Sequence, residues 1–388
     1  MANHGEWQFG IYFNGLVGQK PSLPMSYDAL ERAAEAAMSE EVWSYVAGGA
    51  GNEHTQRANV TAFERWGLMP RMLAGAAQRK LGVEIFGQQL PTPLMMAPVG
   101  VIGICEPEGH GDLTTARAAA ATGVPMIAST LMQDPLEDVA AALGDTPGWF
   151  QLYPPNDREL TESLVRRAEA AGYQAIVITL DTLALGWRPR DLRIASFPQL
   201  TGLCLANYTS DPVFRSRLDA PPEEDPQAAT GLWARIFGNQ SLSWDDLAWF
   251  RSLTTLPILL KGICSPDDAR RAVDAGMDGI YCSNHGGRQA NGGLPAIDCL
   301  ADVVDAAGDA PVIFDSGVRG GPDIVKALAM GARAVAVGRP YAYGLAVGGQ
   351  EGIEHVLRSL LAETDLTMAV DGYPTIASLT RDALRPVR

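Results

Sequence analysis

The chain has 388 residues, enough for one large α/β domain or two ordinary ones, with a soluble, globular composition. Acidic side chains outnumber basic ones 45 to 30, for a formal charge of -15. That balance argues against a surface built for duplex nucleic acid or an anionic membrane, and leaves room for a small anion in a local basic pocket. Five scattered cysteines, at 105, 204, 264, 282 and 299, include no Cys-x-x-Cys pair and indicate neither a disulfide framework nor a zinc site. No signal-peptide pattern and no apolar run long enough to span a bilayer are found, so a reducing cytoplasm is the expected setting.

Residues 1–25 are mixed and glycine-containing, with no assigned element. Ser26 and Ser39 then read as N-caps of two short helices, the second running through Val42-Trp43-Ser44-Tyr45-Val46 into Ala47-Gly48-Gly49. Residues 1–70 are taken as an N-terminal helical extension of a single domain over 1–388. Beyond Pro70-Arg71 short apolar runs alternate with helical stretches.

The runs are Leu94–Ala97, Pro125–Ala128, Trp149–Leu152, Ala175–Ile178, Pro257–Leu260, Gly279–Cys282, Pro311–Phe314 and Ala334–Val337. None alternates polar with apolar, which suits parallel strands buried on both faces. The helices between them repeat one signature of cap, proline, helix and glycine: Asp134-Pro135 to Gly144, Ser265-Pro266 to Gly276, Gly321-Pro322 to Gly331. Eight such βα units predict a (β/α)₈ TIM barrel, and the absence of G-x-G-x-x-G after the first run weakens a dinucleotide-binding sheet.

The fourth and fifth runs stand roughly 75 residues apart, far beyond an ordinary βα connection, which predicts a long lid-like insertion over about 198–245. Its proline-rich acidic piece Pro221–Pro226 is expected to be mobile. On the catalytic face such a loop would exclude water, the alternative being a surface excursion or oligomer contact.

Chemistry in a barrel of this kind sits where strands end. The endings are Pro98-Val99-Gly100, Ser129-Thr130, Gln151 with Tyr153, Thr179-Leu180-Asp181, Lys261-Gly262, Ser283-Asn284-His285-Gly286-Gly287-Arg288, Asp315-Ser316-Gly317-Val318-Arg319 and Gly338-Arg339. Glycines beside arginines after the last two runs make a phosphate cradle. A lysine ending an apolar strand is unfavourable unless it faces an anion or an electron-rich ring, although a Schiff-base role for Lys261 stays open. His285 is suited to take a proton near neutral pH, and Arg288 to grip a carboxylate.

These endings, in order and spacing, resemble the FMN-dependent α-hydroxy acid oxidases over about residues 25–388. Tyr45–Gly49 with Glu53–Asn59, Gly186–Asp191 and Gly202–Leu205 are most similar to the L-lactate 2-monooxygenase branch. The resemblance implies FMN as cofactor, held by Pro98, Val99, Gly100, Ser129, Gln151, Thr179, Lys261 and Ser283 at the ring and ribityl chain, and by Asp315, Ser316, Gly317, Val318, Arg319, Gly338 and Arg339 at the ribityl and phosphate groups. It implies substrate binding by Tyr45, Tyr153, Arg188 and Arg288, with His285 as base, and no metal.

The expected reaction is oxidation of a small L-2-hydroxy acid, L-lactate with O₂ going to acetate, CO₂ and water. The alternatives are an oxidase releasing pyruvate and H₂O₂, a dehydrogenase using another acceptor, and a non-catalytic flavin-binding protein. A homo-oligomer, tetramer or octamer, is implied by the family. Leu183, where many members have proline, and Pro154-Pro155 after Tyr153 mark a different pocket edge. Gly100 is expected to leave room for oxygen beside the flavin.

Overall fold

A computed structural model describes residues 3–387. Eight parallel strands close into a barrel: β1 (Leu94–Met96), β2 (Met126–Ala128), β3 (Gly148–Leu152), β4 (Ile176–Thr179), β5 (Ile258–Lys261), β6 (Gly279–Cys282), β7 (Val312–Phe314) and β8 (Ala334–Val337), with β8 pairing back onto β1. Each predicted run supplies one strand. The reason the runs lack alternation is visible in two apolar layers. Met95, Ile127, Trp149, Val177, Leu259, Tyr281, Ile313 and Ala336 point into the barrel, while Leu94, Met96, Phe150, Ile176, Ile178 and Leu260 face the surrounding helices. Both sets are removed from water, so successive residues are all apolar.

The barrel floor is plugged by a hairpin, Val83–Ile85 with Gln88–Leu90, whose Val83, Ile85 and Leu90 join the interior layer. Trp66–Leu68 pairs antiparallel with Leu384–Pro386, tying the N-terminal extension to the chain's end. Both predicted caps form: Ser26 Oγ accepts from Ala29 N–H at 3.4 Å and Ser39 Oγ from Val42 N–H at 3.3 Å. One helix, Trp7–Leu16, lies in the stretch where no element was expected; it is apolar without a clear stripe, and buries none of its residues fully.

The insertion is a series of helical turns rather than an open loop: Pro198–Thr201, Ala206–Thr209, Pro212–Arg215 and Pro226–Ile236. The segment expected to be mobile is pinned at both ends. Glu223 pairs with Arg215 at 2.7 Å, and Asp225 caps the last helix by accepting from Ala228 N–H at 2.9 Å.

Candidate active site

The carboxyl ends of the strands open into one cleft continuous with solvent. Pro98, Val99, Gly100, Lys261, His285, Gly338 and Arg339 border it, as does the whole of Asp315–Arg319. Tyr45, Tyr153, Arg188 and Arg288 border it from the other side. Ser129, Gln151, Thr179 and Ser283 do not reach the opening; they lie packed behind its wall, each nearly inaccessible.

β4, β5 and β6 stand side by side with Thr179 opposite Lys261 and Lys261 opposite Tyr281. The Lys261 ammonium donates to Ser283 Oγ at 3.1 Å and lies 3.6 Å from Asp315, so its burial is compensated by one hydroxyl and one carboxylate. On the neighbouring strands, Gln151 Oε1 accepts from Ser129 Oγ at 3.0 Å.

Gln151 Nε2 and Thr179 Oγ1 are buried with no partner in the protein. An unpaired buried polar group costs roughly 1–3 kcal/mol, and two on adjacent strand ends mark a place where a ligand with carbonyl and ring-nitrogen groups would complete the pairing. A Cβ on Gly100 would stand 3.3 Å from Ser129 Oγ and 3.4 Å from Leu131 Cβ, so a side chain there would press on that wall. After β7 the backbone curls through positive φ at Ser316 and Gly317, and a Cβ on Gly317 would lie 2.2 Å from Asn59 O. The unpaired donors and the glycine turn fit a flavin mononucleotide.

His285 leaves β6 in the left-handed region, φ 58°, a conformation that a non-glycine residue holds only when its surroundings impose it. Ser283 Oγ accepts its N–H at 3.0 Å, and Ser316 Oγ accepts from Asn284 and Gly286. Its Nδ1 faces Asp181 Oδ1 at 2.8 Å. Burial lowers the His285 pKa; Asp181 opposes this, while Lys261 and Arg188 add to it. Burial opposes ionisation of Asp181, but the charge and hydrogen bond of His285, with Lys261, hold it below the ordinary value. With its pKa lowered, the imidazole is neutral at neutral pH and donates Nδ1–H to the Asp181 carboxylate, with Nε2 free to accept a proton, and Asp181 is held ionised when that proton arrives.

Arg188 Nε donates to Arg288 O at 3.2 Å and its terminal nitrogen to Gln289 Oε1. Arg288 donates to Gly48 O and stacks over Tyr45 at 5.1 Å. Burial, then the nearby Arg188 and Arg339 cations, push the Arg288 guanidinium down to about 9, a penalty that a bound carboxylate would relieve. Arg339 is drawn away from the expected cradle: its donors meet Val46, Gly48 and Gly286 carbonyls and Gln56 Oε1, fastening the N-terminal extension to the His285 loop. Arg319 stacks over Tyr27 at 4.5 Å.

Three residues at the site were given no role from sequence. Asp181 belongs to a motif that was read, but its partner is 104 residues away. Gln289 carries Arg188 and also donates to Asp181 O at 2.9 Å and Ala184 O at 3.1 Å. Gln199 reaches Tyr45 from the insertion at 2.8 Å. The insertion also links the two site tyrosines through a chain of tilted and edge-on rings: Tyr45 to Phe197 at 6.4 Å, Phe197 to Trp233 at 6.5 Å, Trp233 to Phe237 at 4.9 Å and Phe237 to Tyr153 at 5.4 Å.

The family described as FMN-dependent dehydrogenase matches residues 34–386. The chain belongs to that family. It is 41% identical to the FMN-dependent alpha-hydroxy acid dehydrogenase qulF of Penicillium citrinum, covering 100% of this chain and 97% of the relative. It is 40% identical to the L-lactate oxidase of Lysinibacillus sphaericus over 95% of this chain and 94% of that protein. The crystal structure of a (putative) lactate oxidase from Pediococcus acidilactici superposes with a TM-score of 0.85 at 36% identity, covering 95% of this chain and 97% of the other. FMN is the cofactor, and the protein is an FMN-dependent oxidoreductase acting on the CH–OH group of 2-hydroxy acids.

Two expectations are corrected here. These relatives carry oxidase and dehydrogenase names, so they give the narrower likeness to lactate 2-monooxygenase no support. The cytoplasmic setting is overturned by relatives named as peroxisomal, among them the (S)-2-hydroxy-acid oxidase GLO4 of Oryza sativa, 38% identical over 93% of this chain and 95% of its own. All five cysteines are free thiols.

Proposed function

We propose that the protein is an L-2-hydroxy acid oxidase for small substrates such as L-lactate, using O₂ as electron acceptor and releasing the 2-keto acid and H₂O₂. The observation that carries the reading is the His285–Asp181 pair set in the same cleft as Arg188 and Arg288. FMN, when bound, would supply the two-electron redox chemistry that links substrate oxidation to O₂. Lys261 would meet the ring, with Ser283, Gln151 and Thr179 behind it, and the Asp315–Arg319 turn would hold the ribityl phosphate beside Gly338, with Arg339 bracing the His285 loop at that end.

Arg188 and Arg288 grip the substrate carboxylate, and Tyr45 and Tyr153 donate to its oxygens. The hydroxyl is thereby directed at His285 Nε2, which takes its proton, while Asp181 stabilises the imidazolium that results. Two protons and two electrons leave the substrate and reduce one O₂ to H₂O₂, so the reaction balances. Release of the keto acid before it meets peroxide separates this outcome from oxidative decarboxylation.

The choice of oxidase over monooxygenase is supported by the oxidase relatives. It is tested by supplying L-lactate and O₂ and measuring products: equal pyruvate and H₂O₂ support it, whereas acetate and CO₂ without free peroxide refute it. Assembly into a tetramer or octamer is part of the same proposal. It is supported by the exposed apolar side chains Phe9, Tyr12, Phe13 and Leu16, and light scattering at working concentration decides it.

A further inference from the structure

Gln199 lies in the first turn of the insertion, Pro198–Thr201, and is 2% exposed although it borders the cleft. Its Nε2 donates to the Tyr45 hydroxyl oxygen at 2.8 Å, and its own carbonyl oxygen has no partner. The residue two before it, Phe197, packs its ring on Tyr45. The insertion therefore holds this tyrosine by both ring and hydroxyl.

A tyrosine hydroxyl has one proton to give. With Gln199 donating to its oxygen, that proton must point elsewhere. The charged group against the ring is the Arg288 guanidinium, which accepts nothing. Among the described residues no hydrogen bond takes that proton, and an anion in the cleft would accept it.

We propose that Gln199 is a positioning residue that turns the Tyr45 hydroxyl proton toward the substrate carboxylate, coupling the seating of the insertion to substrate affinity. The inference rests on the reading that Tyr45 meets that carboxylate. A side chain of similar length without a donor abolishes the effect, and one that only accepts reverses it, because it draws the tyrosine proton to itself.

The test uses the FMN-loaded enzyme and two readouts: Kd for pyruvate from the change in flavin absorbance, and KM and kcat for L-lactate. Gln199→Met and Gln199→Glu are each expected to raise Kd and KM about 10-fold, with kcat changed less, as for loss of one hydrogen bond to a charged group. Tyr45→Phe is expected to do the same, and adding Gln199→Met to it should change Kd by less than about twofold, because both remove one interaction. A Gln199→Met enzyme with wild-type Kd, beside a weakened Tyr45→Phe enzyme, would show that Gln199 only packs. Wild-type affinity in Gln199→Glu, or additive losses in the double variant, would equally overturn the inference. An unaffected Tyr45→Phe enzyme would remove the assignment of Tyr45 itself, and this inference with it.

Discussion

Asp181 Oδ1 lies 2.8 Å from His285 Nδ1, joining the end of β4 to the loop after β6 across the one strand, β5, between them. The contact fixes the tautomer of the imidazole and leaves the opposite nitrogen as the only basic atom of the ring.

Asp181→Asn is expected to lower the rate of flavin reduction by L-lactate roughly 10²- to 10⁴-fold, with His285→Ala at least as severe, since the imidazolium loses its counter-charge. Anaerobic stopped-flow absorbance measures this. Normal reduction in His285→Ala would remove His285 as the base, and normal reduction in Asp181→Asn would remove Asp181 as its support.

The pH dependence follows from the direction of the shift. His285 must be neutral to act, and its pKa lies below 6.5 in the folded protein, chiefly through burial. The acid limb of kcat/KM is therefore expected below pH 6.5. Removing Asp181, which raises the His285 pKa, should move that limb to lower pH while the plateau falls. A limb moving upward in Asp181→Asn would contradict the pairing.

Lys261→Met leaves Asp315 buried without its cation and Ser283 without its donor. A charge-assisted hydrogen bond from Lys261 to bound FMN would be worth ~1.5–3 kcal/mol, so its loss is expected to lower FMN affinity at least ~10-fold. Ultrafiltration with fluorescence of the released flavin reads the change, and full retention would place Lys261 outside the cofactor's reach.

Asp365 anchors both ends of the molecule. Its carboxylate takes two bonds from Arg79, each 2.7 Å, and a third from Gly5 N–H at 2.7 Å, while only 1% of its side chain is exposed. Asp365→Ala strands a buried guanidinium and is expected to destabilise the fold by about 3–5 kcal/mol. Urea denaturation of the apoprotein tests it; a loss under about 1 kcal/mol would mean that water replaces the pair.

Asp112 is buried behind the turn that follows β1, and burial pushes its pKa up to about 7, against the hydrogen bond from Gln133 N–H. Between the unfolded value near 4 and about 7 the folded chain keeps a proton that the unfolded chain has lost. Its contribution to stability is therefore complete below about pH 4 and declines as pH rises through 7. Asp112→Asn should gain stability relative to the wild type between about pH 5 and 8, read as a shift in urea midpoint. A constant difference across that range would mean that Asp112 is already ionised.

The barrel was legible because burial on both strand faces writes itself into adjacent residues: Leu94, Met95 and Met96 are all apolar since one layer takes Met95 and the other takes its neighbours. Helix starts at Ser26 and Ser39 were legible for the same local reason, a side chain capping its own helix. The helix Trp7–Leu16 was not, since an apolar segment without a stripe carries no period to read.

The residue types at the site were likewise set by sequence, as polar groups and glycines at the ends of apolar runs. What tertiary structure alone decided is which of them meet. Asp181 with His285, Gln199 with Tyr45, Arg339 with Gly48 and Gln56, and the ring path from Tyr45 through Phe197, Trp233 and Phe237 to Tyr153 all join distant stretches of chain. No local period encodes such pairs. They exist because closing the barrel brings eight strand ends to one rim, and because the insertion after β4 folds back over that rim.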